Sequence, residues 1–157
     1  MKNEMNHNPV RPPRVGRVWS RWMVVDDNEE ILNMSALFLG HAGGAAVYRF
    51  QSAEKALAAF RAAPEVWEMV LTDLEMPGMD GIELGGCLRG CRPDIKLFLM
   101  TGSSLIMETE AKRLGFCQLL YKPFRFSDLL RMLLATGTTD CSRVAYGTSH
   151  TLVGVAA

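Results

Sequence analysis

Three things are missing from this 157-residue chain, and each absence removes a class of function. Net charge is missing. Seventeen basic residues cancel seventeen acidic ones, so bulk electrostatics draws the chain neither to nucleic acid nor to a membrane surface. Apolar runs of spanning length are missing, so no membrane insertion is expected. Paired cysteine spacings are missing too. Cys87, Cys91, Cys117 and Cys141 match no metal-ligand pattern, and the expectation is free thiols in a reducing, cytoplasmic setting. The first residues carry Lys2, Arg11, Arg14, Arg17 and Arg21 against Glu4 alone, but no apolar stretch follows. Pro9, Pro12 and Pro13 break any helix there, so this basic leader is no secretion signal.

What is present is a globular composition, 48% apolar, at a length that suits one domain with a sizeable core. Short apolar runs alternate with helical patterns. Trp19–Val25, Ala45–Phe50, Trp67–Thr72, Ile95–Met100 and Phe116–Tyr121 read as strands. Asn28–His41 reads as a helix stopped by Gly43-Gly44, and a helix capped by Ser52 follows and stops at Pro64. Ile82–Gly90 is a poor helix by propensity because of Gly85 and Gly86. Ser103 or Ser104 caps a fourth helix running to about Leu114, with Gly115 as its stop, and Phe126–Ala135 is the last. Five strands joined by helical stretches mean a parallel sheet with right-handed crossovers.

Polar groups stand where the apolar runs end. Asp26-Asp27 follow Met23-Val24-Val25, Asp73 follows Met69–Thr72, Thr101 follows Leu97–Met100, and Lys122 follows Leu119-Leu120-Tyr121. In an open parallel sheet these carboxyl ends share one edge, where such sheets bind ligands. Asp26, Asp27 and Asp73 are candidate oxygen ligands for magnesium, and the backbone carbonyl of Glu75, two residues past Asp73, offers another. Packed carboxylates repel one another, and a divalent cation relieves that repulsion and leaves Asp73 ionised and nucleophilic. Transfer of a phosphoryl group to Asp73 needs in-line placement and neutralisation of charge on the moving oxygens. The Lys122 ammonium and the Thr101 hydroxyl are placed to contribute both.

Four stretches carry a resemblance to a known family: V-V-D-D-N-E at 24–29, L-T-D-L-E-M-P-G-M-D-G at 71–81, L-M-T-G at 99–102 and Y-K-P-F at 121–124. Together they resemble the CheY-like receiver domain of two-component response regulators over about residues 19–135. Residues 1–18 are then a flexible basic arm and 136–157 a weakly structured tail. The resemblance implies a flavodoxin-like, doubly wound α/β fold, five parallel strands in order 2-1-3-4-5 with five helices. It implies Asp73 as phosphoacceptor, Asp26 and Asp27 as the metal-binding pair for Mg2+, Thr101 as the switch hydroxyl and Lys122 as the phosphate contact. The Lys122–Pro123 bond is commonly cis in the family. The implied donor is a sensor histidine kinase or histidine phosphotransfer protein, and the implied output is by protein contact. A downstream protein docks on the helix 4–strand 5–helix 5 face, and no nucleic acid is expected. One departure stands out. Where the family usually carries Tyr or Phe as partner of the switch hydroxyl, this chain has Leu119, and Tyr121, two residues on, points to the same face.

Two other readings compete. A haloacid-dehalogenase-type phosphohydrolase also uses an aspartyl nucleophile with Thr, Lys and magnesium, but its nucleophile comes first and its acidic pair last, the reverse of the order here. A receiver-like scaffold that never takes phosphate is opposed by the stability cost of clustering charges without a metal.

Overall fold

The computed structural model describes residues 21–42 and 45–135. The expected basic arm, the Gly43-Gly44 helix stop and the tail beyond 135 lie outside the described residues. Five strands form one sheet: β1 (Arg21–Val25), β2 (Ala46–Phe50), β3 (Trp67–Asp73), β4 (Lys96–Thr101) and β5 (Gln118–Tyr121). All pairs are parallel and the order is β2-β1-β3-β4-β5, as expected. The helices are α1 (Glu29–Ala42), α2 (Ala53–Ala62), α3 (Gly81–Cys91), α4 (Glu108–Arg113) and α5 (Phe126–Ala135). A short 3-10 turn at Pro64–Val66, which the sequence reading left out, connects α2 to β3.

Strand alternation divides the core. Met23, Val25, Val70, Leu97 and Leu99 pack on one face with Phe60, Leu84, Leu88, Ile106 and Phe116 of the α2–α3–α4 side. Val24, Leu71, Phe98 and Met100 pack on the other with Leu32, Leu39, Leu129 and Met132 of α1 and α5. With both faces covered, the inner strands must be apolar throughout, and Glu68 is the one exposed residue of β3.

Glycines count against α3 by about 1 kcal/mol each in an exposed helix interior. Tertiary contacts offset this. Asp80 accepts the Glu83 N–H at 2.8 Å while Glu83 accepts the Asp80 N–H at 3.1 Å, a reciprocal capping box. Leu84 and Leu88 are fully buried. Gly85 lies under an aromatic ring: a Cβ there would stand 2.7 Å from Phe116 Cζ.

The fourth helix corrects the sequence reading. It begins at Glu108, with Met107 as a cap lacking any side-chain hydrogen bond. Neither serine caps it. The Ser103 N–H instead donates to Thr101 Oγ1 at 2.9 Å, and its hydroxyl accepts the Leu105 N–H at 3.1 Å. Such local side-chain bonds compete with helix. The cysteine expectation also needs correcting. Cys87 and Cys91 are free thiols, but Cys117 is disulfide-bonded. No helix among the described residues is long and apolar enough to cross a membrane.

Two substitutions test this account by urea unfolding. Phe98→Ala, at a fully buried ring in the central sheet, is expected to cost about 3–5 kcal/mol. Asp80→Ala is expected to cost about 1 kcal/mol through loss of the cap. An unchanged midpoint for Asp80→Ala would mean that α3 does not depend on its capping box.

Candidate functional site

The site is built from strand ends. Asp26 follows β1 and is held by its backbone N–H, which donates to the Phe50 carbonyl at 3.1 Å. Asp73 ends β3, where the next residue's N–H donates to the Met100 carbonyl at 2.8 Å. Thr101 ends β4 and pairs in register with Tyr121 of β5, so Lys122 emerges beside it. The Lys122 N–H donates to the Thr101 carbonyl at 2.8 Å. The Lys122–Pro123 peptide bond is cis, the state the resemblance implies.

Lys122 ties the site together. Its ammonium donates to Asp26 Oδ2 at 2.6 Å and to Asp73 Oδ1 at 2.8 Å. Asp26 is fully buried and Asp73 nearly so, while Asp27 is exposed at the rim. One carboxylate oxygen from each of Asp26, Asp27 and Asp73 can be chosen so that all three lie within 4.8 Å of one another. An all-carboxylate donor set is hard and suits magnesium, which takes one or two carboxylates and keeps several waters. The residues present therefore fit the ion.

Charge here is poorly balanced, with three carboxylates facing one ammonium. Burial pushes the Asp73 carboxyl above its usual range, and the like charges of Asp26 and Asp27 add to this, while the hydrogen bond and charge of Lys122 oppose it without prevailing. Burial alone would lower Lys122, but its hydrogen bonds to Asp26 and Asp73 outweigh that and raise it. A lysine raised in this way adds stability that is complete below its unfolded value and is lost only as alkaline pH passes the folded one.

The other anticipated residues fall nearby in different ways. Thr101 is fully buried and its hydroxyl oxygen accepts the Ser103 N–H. Glu75 is exposed on the loop after Asp73. Leu119 packs against the core on the α4 side of the sheet. Tyr121 is half exposed and donates its hydroxyl to the Ile106 carbonyl at 3.1 Å.

Three supporting groups were missed in the sequence. Asn28 caps α1, its Oδ1 accepting the Glu30 and Ile31 N–H groups, while its own N–H donates to Asp26 Oδ1 at 2.9 Å. An Asn just before a helical run was the readable signal. Glu54, at the start of α2, accepts the Met79 N–H at 3.2 Å and clamps the loop after Asp73. No local pattern announces a contact 25 residues apart. Gly81 lies against the Asp73 backbone carbonyl, where a Cβ would collide.

Fold and site together define a doubly wound, flavodoxin-like domain with an acidic cluster and one lysine at the carboxyl edge of its sheet. A family model described as the response regulator receiver domain matches residues 22–134, and the chain belongs to that family. It is 36% identical over 114 residues to the response regulator protein FleR of Pseudomonas aeruginosa, covering 71% of this chain and 23% of FleR. It is 40% identical over 103 residues to the transcriptional regulatory protein FixJ of Rhizobium meliloti, covering 64% of this chain and 48% of FixJ. The chain thus spans less than half the length of either relative. A solved CheY-like receiver domain protein from Methanospirillum hungatei superposes with a TM-score of 0.66 at 28% identity, over 75% of this chain and 93% of that one.

The raised Asp73 value fixes the sign of a pH effect. Between the unfolded carboxylate value, about 4, and the higher folded one, the native state binds more protons than the unfolded state. Stability therefore falls as pH rises through that window, and the loss is complete once pH has passed the folded value. Asp73→Asn is expected to raise the thermal midpoint of the metal-free protein at pH 7, with the gain vanishing below about pH 4. Added Mg2+ should stabilise wild type more than the variant. Thermal unfolding across pH, with and without Mg2+, checks this, and a destabilised variant at pH 7 would contradict it.

Proposed function

We propose that this chain is a phosphorylation-operated switch that takes a phosphoryl group on Asp73 from the phosphohistidine of a sensor histidine kinase or a histidine phosphotransfer protein. The observation that carries the reading is the Lys122 ammonium, within hydrogen-bond distance of both Asp26 and Asp73, beside a third carboxylate. The reading takes 19–135 as the receiver unit, flanked by the arm and the tail.

A carboxylate oxygen of Asp73 attacks phosphorus. The new P–O bond forms as the P–N bond to the donor imidazole breaks, and the imidazole leaves with the electron pair and is protonated. Little covalent assistance is needed, so the protein's share is placement and charge neutralisation. Lys122 exchanges part of its contact with Asp73 for the incoming phosphoryl oxygens. Thr101, whose hydroxyl bonds locally in this structure, turns its O–H to a phosphoryl oxygen. Mg2+, held by Asp26, Asp27 and Asp73 with the Glu75 carbonyl, would supply Lewis-acid neutralisation of those oxygens. Hydrolysis of the acyl phosphate resets the switch, so the protein supports its own dephosphorylation without being an enzyme on other substrates.

The output is read as protein contact on the face of α4, β5 and α5, where Leu105, Met107, Leu114 and Tyr121 are exposed. The setting is read as cytoplasmic, where histidine kinase catalysis takes place.

Asp73→Asn provides the test. Wild type incubated with Mg2+ and a small-molecule phosphodonor should gain a base-labile phosphoryl group, measured by intact-mass spectrometry, and the variant should gain none. Equal uptake by the two proteins would sink the proposal. Lys122→Ala should retain Mg2+ binding but lower the phosphorylation rate by about tenfold or more, the loss of roughly one charge-assisted contact.

A further inference from the structure

The loop between Asp73 and α3 is tied at its neck and again at its tip. At the neck the Leu74 N–H donates to the Met100 carbonyl at 2.8 Å, and the Leu74 carbonyl accepts the Gly81 N–H at 3.0 Å. Met76 is buried in the core on the α2–α3 side. The tip turns at Gly78, whose φ is 77°. There the Glu54 carboxylate accepts the Met79 N–H at 3.2 Å. Among the described residues, this is the one side-chain hydrogen bond that reaches residues 74–79 from another element. Glycine permits the approach, because a Cβ at 78 would stand 2.6 Å from Glu54 Oε1.

Glu54 is set in place by its own helix. It lies in the first turn of α2, whose cap, Ser52, accepts the Lys55 N–H at 3.2 Å. A carboxylate is favoured there by the helix dipole. Ala53 and Ala56 are fully buried, so this turn is anchored in the core. Hydrogen bonds from its own N–H, the Met79 N–H and the Ser52 hydroxyl hold the Glu54 carboxyl below its usual range, and it stays ionised at neutral pH. The helix start follows Phe50, the end of β2, whose carbonyl accepts the Asp26 N–H at 3.1 Å. Glu54 therefore joins two strand ends by a route outside the carboxylates. It reaches Asp26 through Phe50 and the start of α2, and Asp73 through the loop that begins beside it.

Magnesium makes such a restraint count. It demands near-octahedral oxygen ligands at about 2.0–2.1 Å, so a ligand on a loop free to wander weakens the site. We infer that Glu54 is a positioning residue for the cation, fixing the tip of the 74–80 loop and with it the Glu75 carbonyl and the junction with Asp73. The inference rests on the reading of Asp26, Asp27, Asp73 and the Glu75 carbonyl as the magnesium site. The Glu54 carboxylate is engaged by the Met79 N–H, so its action on the cation is indirect. One hydrogen bond to a charged group, passed on in part, sets the effect at about three- to tenfold in Mg2+ affinity.

Glu54→Ala and Glu54→Gln separate a clamp from a charge. Gln keeps an oxygen for the Met79 N–H and loses the negative charge, whereas Ala loses both. In metal-free protein, amide exchange at Met79 should accelerate in Glu54→Ala and stay near wild type in Glu54→Gln. Unchanged exchange in Glu54→Ala would overturn the clamp. Calorimetric titration with Mg2+ should find Kd raised about three- to tenfold in Glu54→Ala and within about twofold of wild type in Glu54→Gln. The Mg2+-induced 13C shift of the Glu75 carbonyl at saturation should shrink in Glu54→Ala alone. Equal Mg2+ affinity in wild type and Glu54→Ala would overturn the inference and leave the site reading intact. Equal weakening in both variants would also overturn it, by showing long-range attraction of the cation in place of a clamp. No Mg2+ binding by wild type would overturn the site reading itself, and this inference with it.

Discussion

The Lys122 ammonium between Asp26 and Asp73 is the interaction on which the rest of the structure turns. Two largely buried carboxylates, with a third at the rim, would repel one another strongly without it, because burial weakens the screening that water provides. One lysine satisfies both and still leaves negative charge in excess. Burial, with the like charges of Asp26 and Asp27 added, keeps the proton affinity of Asp73 raised despite its bonded partner. A site of this kind is costly to maintain in isolation and favourable once a cation adjusts the count.

The scaffold around this contact is arranged for positional accuracy. Parallel pairing brings the ends of β1, β3, β4 and β5 to one edge in a register that hydrogen bonds fix. The two apolar layers clamp the sheet from both sides, so the strand ends have little freedom to wander. The loop after Asp73 is held by groups with no chemistry of their own: Glu54 from α2, the capping box of α3, and Gly81 against the Asp73 carbonyl. The segment after Thr101 is held more lightly, by one tyrosine hydroxyl, one threonine-mediated turn, one serine-mediated turn and one buried isoleucine. The contrast places tight restraint beside Asp73 and lighter restraint beside Thr101.

Much of this was legible without coordinates. The strands ended in polar residues, the apolar runs had the length of buried strands, and the Pro and Gly positions marked loops correctly. The elements were misjudged where long-range contacts outweigh local preference. Helix α3 looked weak because propensity counts glycines against it, but Phe116 needs the space that Gly85 leaves. Helix α4 looked longer because Ser103 is a good cap, but its polar groups bond within the turn. Glu54 escaped notice because its partner, the Met79 N–H, is distant in sequence and carries no side-chain signature.

Residue order by itself determined the alternation of strand and helix, the chemistry at each strand end and hence the family. Those properties follow from hydrophobic period and from short motifs, both of which are local. Tertiary structure decided how far apart the carboxylates stand, which of them share Lys122, how Asp73 titrates and where α4 begins. Each of these depends on groups brought together across the fold, and distance, burial and competition for a hydrogen-bond acceptor have no counterpart in a linear string.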